Sequence, residues 1–317
     1  MNKTEKLAKL ILLDCLELQP GQSVLLVSEV KQTHAALAFH SVAARAHLEL
    51  MSLALTEQPN GAPRLSAFAR NSIQAVELAV IILPKLDHES LNWLRQQNRT
   101  RVMVFSQIDA EEIPAGLETD QRQLRDRSRK LADILTIGRA LQLTTGNPAV
   151  AGLKMSIAQN RGSAEIIPLM PEMFFASLPL GRAFVTPAAN SVVGEIILAD
   201  LAGGHTGVAS PIELKVVEGK ITLIKGGKAA NELRRRLRLA GANARNIVEI
   251  GFGLNDKARP GNSEFEDEKV IGTAHLGIGR LTSGSKIPEI FARGILQTPN
   301  LMIDGKKIIE EGKILVG

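Results

Sequence analysis

The chain has 317 residues, 44% hydrophobic and 22% charged, enough for two domains that each bury a core in the manner of ordinary globular proteins. The net charge of +5 and pI near 9.4 admit nucleic acid as a partner, but aromatics are 3%, tyrosine is absent and the basic residues are dispersed, so base-stacking surfaces are not expected. No apolar run reaches the ~18 residues of a membrane span and Met1 to Leu10 is too charged for a signal-peptide core, so a cytoplasmic protein without a membrane partner is expected.

Lys6 to Leu18 carries Leu7, Leu10, Ile11 and Cys15 at helical spacing, and Pro20-Gly21 turns the chain into the apolar run Val24 to Val27. Cys15 is the single cysteine, which excludes an intrachain disulfide and a cysteine-built zinc site; it is expected to pack as a small apolar residue. A helix over His34 to Ala46 leads to a strand over Leu48 to Leu55, and the runs Leu78 to Leu83 and Val102 to Phe105 complete a set of short continuous apolar strands alternating with helices. That alternation predicts a parallel, doubly wound sheet. No Gly-x-Gly-x-x-Gly follows the first strand, so no dinucleotide is expected. His34, His40 and His88 lack metal-ligand spacing and read as surface residues.

Thr119 to Leu143 reads as one long helix, and after Gly146-Asn147-Pro148 the character changes to short β-rich segments with more glycine. The predicted fold is therefore α/β: an open doubly wound domain over 1–145, then a β-rich α+β domain over 146–317. Ile212 to Val217 alternates apolar and polar residues, and Glu218-Gly219 turns it into Ile221 to Ile224 as a hairpin. Asp304-Gly305 and Glu311-Gly312 repeat the device at the end of the chain. The basic run Arg234 to Arg238 falls on an amphipathic helix.

Within this second half, Asn246 to Arg280 places a carboxylate, Glu249, and an imidazole, His275, at the edges of two apolar runs separated by a polar loop, a pattern suited to a metal or substrate site. The acidic cluster Glu264, Glu266, Asp267 and Glu268 in that loop reads as a solvated turn, and His205 as a surface loop residue. Ser191 and Thr273 have no base nearby in sequence, which leaves a nucleophilic hydroxyl without support.

Several stretches in this order resemble the superfamily of metallo-aminopeptidases and iron-dependent dihydroxypyridine dioxygenases. They are Leu178-Pro-Leu-Gly-Arg-Ala-Phe-Val-Thr-Pro187, Ser191-Val-Val-Gly194, the Glu218-Gly219 hairpin closing on Gly226-Gly227, Val248-Glu-Ile-Gly-Phe-Gly253, Glu266 to His275, and the terminal Asp304-Gly305-Lys306 hairpin. The resemblance implies that Glu249 and His275 match two metal ligands of the family. It also implies that Arg182 stands where a glutamate ligand belongs, and that Phe291 and Arg293 replace the final His-x-Asp pair. An alternative register would bring Glu195 to the position of Arg182. Homodimers are implied by the same resemblance.

These replacements leave one glutamate against two arginines at three positions where the family pattern has carboxylates. Two unit charges ~4 Å apart interact by roughly 4 kcal/mol at an effective dielectric near 20, so a dication is expected to be repelled. The expectation from the sequence is a non-catalytic relative with no cofactor and no metal. Arg182, Glu249, His275, Phe291 and Arg293 would bind a peptide or small carboxylate, in an accessory role to a peptide-modifying pathway. A structural tie between the arginines and Glu249 is the equal-weight reading of the same residues. The alternative is a metal-dependent aminopeptidase or extradiol-type dioxygenase whose site is rebuilt with Glu195, His205 or Asp256 as third ligand.

Overall fold

A computed structural model of the chain describes residues 2–56, 64–83, 86–105, 113–146, 150–170, 173–203, 211–241, 243–261, 263–281 and 287–316. His205, one of the alternative ligands, and Asn147-Pro148 lie outside these residues. Two compact units divide the chain, the first formed by Met1–Gln121 and Glu165–Leu180, the second by Arg122–Ala164 and Gly181–Gly317.

In the first unit α1 (Lys3–Lys9) starts from a capping box between Asn2 and Glu5 and runs into a π-helical turn ending at Cys15. β1 (Ser23–Glu29), α2 (Thr33–Arg45), β2 (Glu49–Leu55), α3 (Ala67–Gln74), β3 (Leu78–Ile82), α4 (His88–Arg95) and β4 (Arg101–Phe105) follow as expected. All the paired strands here are parallel, in the order β2-β1-β3-β4, with a fifth from the returning segment beside β4. Burial explains the pattern: after its exposed first residue every residue of β1 is buried, as a strand covered on both faces requires. Cys15 is buried, and its thiol is pushed up to about 12 by that burial, which leaves it a packing residue.

α5 (Gln121–Ile137) ends six residues before the Leu143 expected from the sequence. Gly138 breaks the helix, and Ala140-Leu-Gln-Leu-Thr144 becomes β5 because it pairs with strands from distant parts of the chain. Helical spacing of its leucines gives way to tertiary pairing. The remaining strands are β6 (Gly152–Ser156), β7 (Ser163–Glu165), β8 (Phe175–Leu178, the fifth strand of the parallel sheet), β9 (Arg182–Val185), β10 (Val193–Leu198) and β11 (Asp200–Leu201). They continue with β12 (Ile212–Val217), β13 (Lys220–Gly226), β14 (Asn246–Gly253), β15 (Thr273–Arg280), β16 (Glu289–Gln297), β17 (Asn300–Ile303), β18 (Lys306–Glu310) and β19 (Lys313–Ile314). Two helices are interspersed, α6 (Lys228–Leu239) and the single turn α7 (Glu264–Asp267).

The second unit is built on a large sheet in the order β11-β16-β15-β14-β13-β12-β10-β6-β5-β17-β18-β19, antiparallel at each of these pairs, with β9 added to β14. Its hairpins turn at Glu218-Gly219, Asp304-Gly305 and Glu311-Gly312, where both residues of each pair have positive φ, the conformation a two-residue hairpin needs to match strand twist. β12 alternates buried and exposed residues along its length, whereas β14 is buried from Ile247 to Gly253. Polar side chains on β14 therefore face protein, and each must find its partner there.

Candidate metal centre

Four adjacent strands build the site. Antiparallel pairing sets Glu249 of β14 opposite Gly277 of β15, and Gly277 opposite Arg293 of β16. His275 of β15 lies opposite Gly251, and Arg182 of β9 opposite Gly253. The period of two along each strand puts these side chains on one face. Glycine is needed at two of the facing positions for room alone. A Cβ at Gly251 would run into the His275 ring, and one at Gly277 would come within 2.7 Å of the Glu249 Cβ.

The fifth participant comes from the loop between β14 and β15. Ser263 caps α7 by accepting the Glu266 N–H, and the chain leaves the turn through Glu268 and Lys269. The Asn255 N–H donates to the Lys269 carbonyl at 2.8 Å, and the Ile271 N–H to the Asn255 carbonyl at 3.0 Å. These bonds press the loop against β14 and turn Glu268 inward. Glu266 accepts the Arg259 N–H, and Asp267 accepts the N–H groups of Gly261 and Gly203, so the acidic run is held by backbone donors and is buried from Glu266 to Glu268. The solvated turn expected for these residues is corrected: only Glu264 of the four is exposed.

Arg182 is 4% exposed, and its Nη1 is the centre of the cluster. It donates to Glu249 Oε1 at 2.7 Å and to His275 Nε2 at 3.1 Å, and lies 3.5 Å from Glu268 Oε2. The guanidinium carbon stands 4.3 Å from the ring centre of Phe184. Arg293 sits alongside, its Nε 2.6 Å from Glu268 Oε2 and its Nη2 3.4 Å from Glu249 Oε1. The wholly buried Lys269 ammonium lies 3.1 Å from Glu268 Oε1.

Burial opposes ionisation of Glu249, but the Arg182 and Arg293 charges outweigh it and hold the carboxyl well below the usual carboxylate range. Glu268 is held low by the same balance with Lys269 added. Burial pushes His275 below its ordinary value, and this exceeds the opposing pull of Glu249 and Glu268. A guanidinium has only hydrogens to offer, so Nε2 of the neutral imidazole accepts from Arg182 and its lone pair points at the centre.

Glu249, Glu268 and His275 each offer one donor atom, all within 4.8 Å of one another. Two ionised carboxylates and a neutral imidazole nitrogen are the donor types and protonation states that a borderline divalent ion takes, and three protein ligands leave positions open for substrate. The residues therefore fit such an ion. Nη1 of Arg182 contacts all three, so it stands at the position where their donors converge.

Carboxylates and an imidazole converging on one face of an antiparallel sheet, in a chain that also carries a parallel α/β unit, define the class: two-unit α/β proteins with a buried candidate metal centre. Within it, the chain belongs to the family of 2,5-dihydroxypyridine 5,6-dioxygenase (NicX), whose sequence profile matches residues 8–278. The fold is similar to that of the 2,5-dihydroxypyridine dioxygenase of Pseudomonas putida KT2440, with 17% identity and a TM-score of 0.76 over 99% of this chain and 97% of that one. It is also similar to wild-type AmpT of Thermus thermophilus, with 14% identity and a TM-score of 0.69 over 99% of each chain. No curated protein matches the sequence significantly.

The expectation of a non-catalytic, metal-free binder of a peptide or carboxylate is overturned by the dioxygenase family match together with the third donor, Glu268. Glu268 lies in an acidic run that reads as solvated in the sequence, which left only two ligands there, yet it is buried. Its seven-residue distance from His275 and its place just before an apolar strand were the available signal. Of the named residues, Arg182, Glu249, His275 and Arg293 meet in one cluster. Phe291 faces the Arg280 guanidinium, 5.3 Å from ring centre to Cζ, and Arg280 pairs with Glu289. Among the alternative third ligands, Glu195 pairs with exposed Lys215 and Asp256 with Arg127, both outside the cluster. Among the described residues no helix is long and apolar enough to cross a membrane.

Proposed function

We propose that the chain is a ferrous-ion-dependent dioxygenase of a dihydroxylated N-heteroaromatic ring, with 2,5-dihydroxypyridine as the reference substrate. The observation that supports this reading is the buried set Glu249, Glu268 and His275 in a chain of the 2,5-dihydroxypyridine 5,6-dioxygenase family. Those three residues would hold the ion, which when bound supplies the activation of dioxygen. Both oxygen atoms enter the ring product, and the electron-rich dihydroxylated ring supplies the electrons, so no external reductant is consumed.

The protein's own part is positioning and charge. His275 stays neutral and keeps its Nε2 lone pair available, while both carboxylates remain ionised. Arg293 spans Glu249 and Glu268, which fixes their orientation, and a guanidinium there can donate to an ionised ring hydroxyl. Lys269 ties the second oxygen of Glu268. Burial of the whole set keeps bulk water from competing with substrate.

Anaerobic loading with Fe(II), followed by 2,5-dihydroxypyridine and air-saturated buffer, tests the reading. Oxygen uptake matched one to one by loss of the substrate absorption is expected, and Glu268→Gln and His275→Ala should each remove it. Hydrolysis of amino-acid amides without oxygen uptake, or no turnover by protein that has bound iron, would refute this function.

A further inference from the structure

The centre of the donor set is filled by a side chain of the same protein. Nη1 of Arg182 touches Glu249, His275 and Glu268, the three residues whose donor atoms lie close enough to share one ion. Arg293 touches only the two carboxylates, from the side. Arg182, Arg293 and Lys269 set three cationic groups against the two carboxylates. A dication entering beside Arg182 would meet a guanidinium at ligand distance, and even at an effective dielectric near 20 that repulsion is several kcal/mol.

We propose that Arg182 is an internal counter-cation: in the metal-free protein its guanidinium occupies the metal position and neutralises the ligands, and a divalent ion binds by displacing it. The inference rests on the metal-binding reading above and concerns how the site is loaded. It gives the buried Glu249 and Glu268 a cationic partner in the absence of metal, and it accounts for a long, flexible cation at this position. Phe184 provides a stacking surface for the guanidinium while it is seated. The site is thereby protected against adventitious weak cations, since only an ion that binds the three donors more strongly than Arg182 does can enter.

Equilibrium dialysis with Co(II), an oxygen-stable stand-in for Fe(II), together with the Co(II) visible absorption, tests this on wild type, Arg182→Gln and Arg293→Gln. The expected result is a rise in Co(II) affinity of at least tenfold in Arg182→Gln and a clearly smaller rise in Arg293→Gln. Equal affinities for wild type and Arg182→Gln would overturn the proposal and leave the metal-binding reading standing. An equal rise in both variants would also overturn it, because net charge rather than occupancy would then set the affinity. Binding by neither wild type nor Arg182→Gln would overturn both readings. Should Arg182→Gln fail to fold, Arg182→Lys replaces it, keeping the charge while shortening the reach. A rise in affinity is expected there too, and an unchanged affinity would overturn the proposal.

Discussion

Two arginine–glutamate clusters of the second unit use the same chemical groups in opposite surroundings. On α6, Glu232 accepts from Arg235 Nε at 2.7 Å and Arg236 Nε at 2.8 Å, with side chains 32% to 62% exposed. On the β9, β14, β15 and β16 face, Glu249 and Glu268 meet Arg182 and Arg293 at comparable distances with every side chain 8% exposed or less. Geometry alone does not separate them. Water does: around α6 it screens the pair and solvates either partner left alone, whereas in the sheet each ion depends on its neighbours. The buried arginines are thus held by the carboxylates rather than by water, and removing either partner leaves the other charge in a dry site.

Removing one buried charge should give the largest effect. Glu249→Ala leaves Arg182 and Arg293 with a single shared carboxylate, Glu268, in a dry site, and an uncompensated buried charge costs about 3–5 kcal/mol. Urea unfolding measures it, and a loss as small as that expected for an α6 variant would mean that the two clusters are equally solvated.

Acid separates the buried charges from the exposed ones. Glu249 and Glu268 ionise below the ordinary carboxyl value of 4.5 in the folded chain, so their contribution is complete above pH 4.5 and is lost as pH falls from there. His275 is held neutral below its ordinary 6.5, so protons favour the unfolded chain from about that pH downward. Stability of the metal-free protein should decline from pH 6.5 and fall more steeply below 4.5. The urea midpoint across that range follows it, and a flat profile would show that the cluster does not carry these charges.

Close packing on the site face gives the next effect. Gly251→Ala places a Cβ where the His275 ring lies, and overpacking of this kind costs about 1–3 kcal/mol. Displacement of the ring should also weaken Co(II) binding, which separates it from a general loss of stability. Wild-type Co(II) affinity in the variant would mean the ring finds an equivalent seat.

What could be read in the sequence follows from how local each signal is. The parallel strands were legible because β1, β3 and β4 are continuous apolar runs, and the hairpins because Glu218-Gly219 and Asp304-Gly305 fit a two-residue turn. Glu249 and His275 were legible because a charged or titratable residue inside a glycine-punctuated apolar strand has no solvent to face. Glu268 was not, because its burial is created by bonds from Asn255, and by neighbours held from Gly203, Arg259 and Gly261, none adjacent in sequence. The strand at Ala140 was hidden for the same reason, since its partners β6 and β17 lie downstream. Arg182 and Arg293 could be placed in the cluster from the resemblance, but that Nη1 of one fills the ligand centre depends on side-chain reach, on which strand order is silent.

The smallest effect belongs to α6. Hydrogen bonds from Arg235 and Arg236 bring the Glu232 carboxyl down to about 2, which taken alone suggests a strong pair. The side chains are a third to nearly two-thirds exposed, however, and solvent-screened pairs of this spacing contribute about 0.3–0.5 kcal/mol. Glu232→Ala should therefore lower stability by about that amount at low salt, and by less at 1 M salt, where the Debye length shrinks to about 3 Å. Glu249→Ala should keep nearly all of its cost at 1 M salt, because no mobile ion reaches a buried pair. Equal salt dependence of the two variants, measured by urea unfolding at both ionic strengths, would mean that water and salt enter the site face, and Arg182 would then need no coordinating cation to displace it.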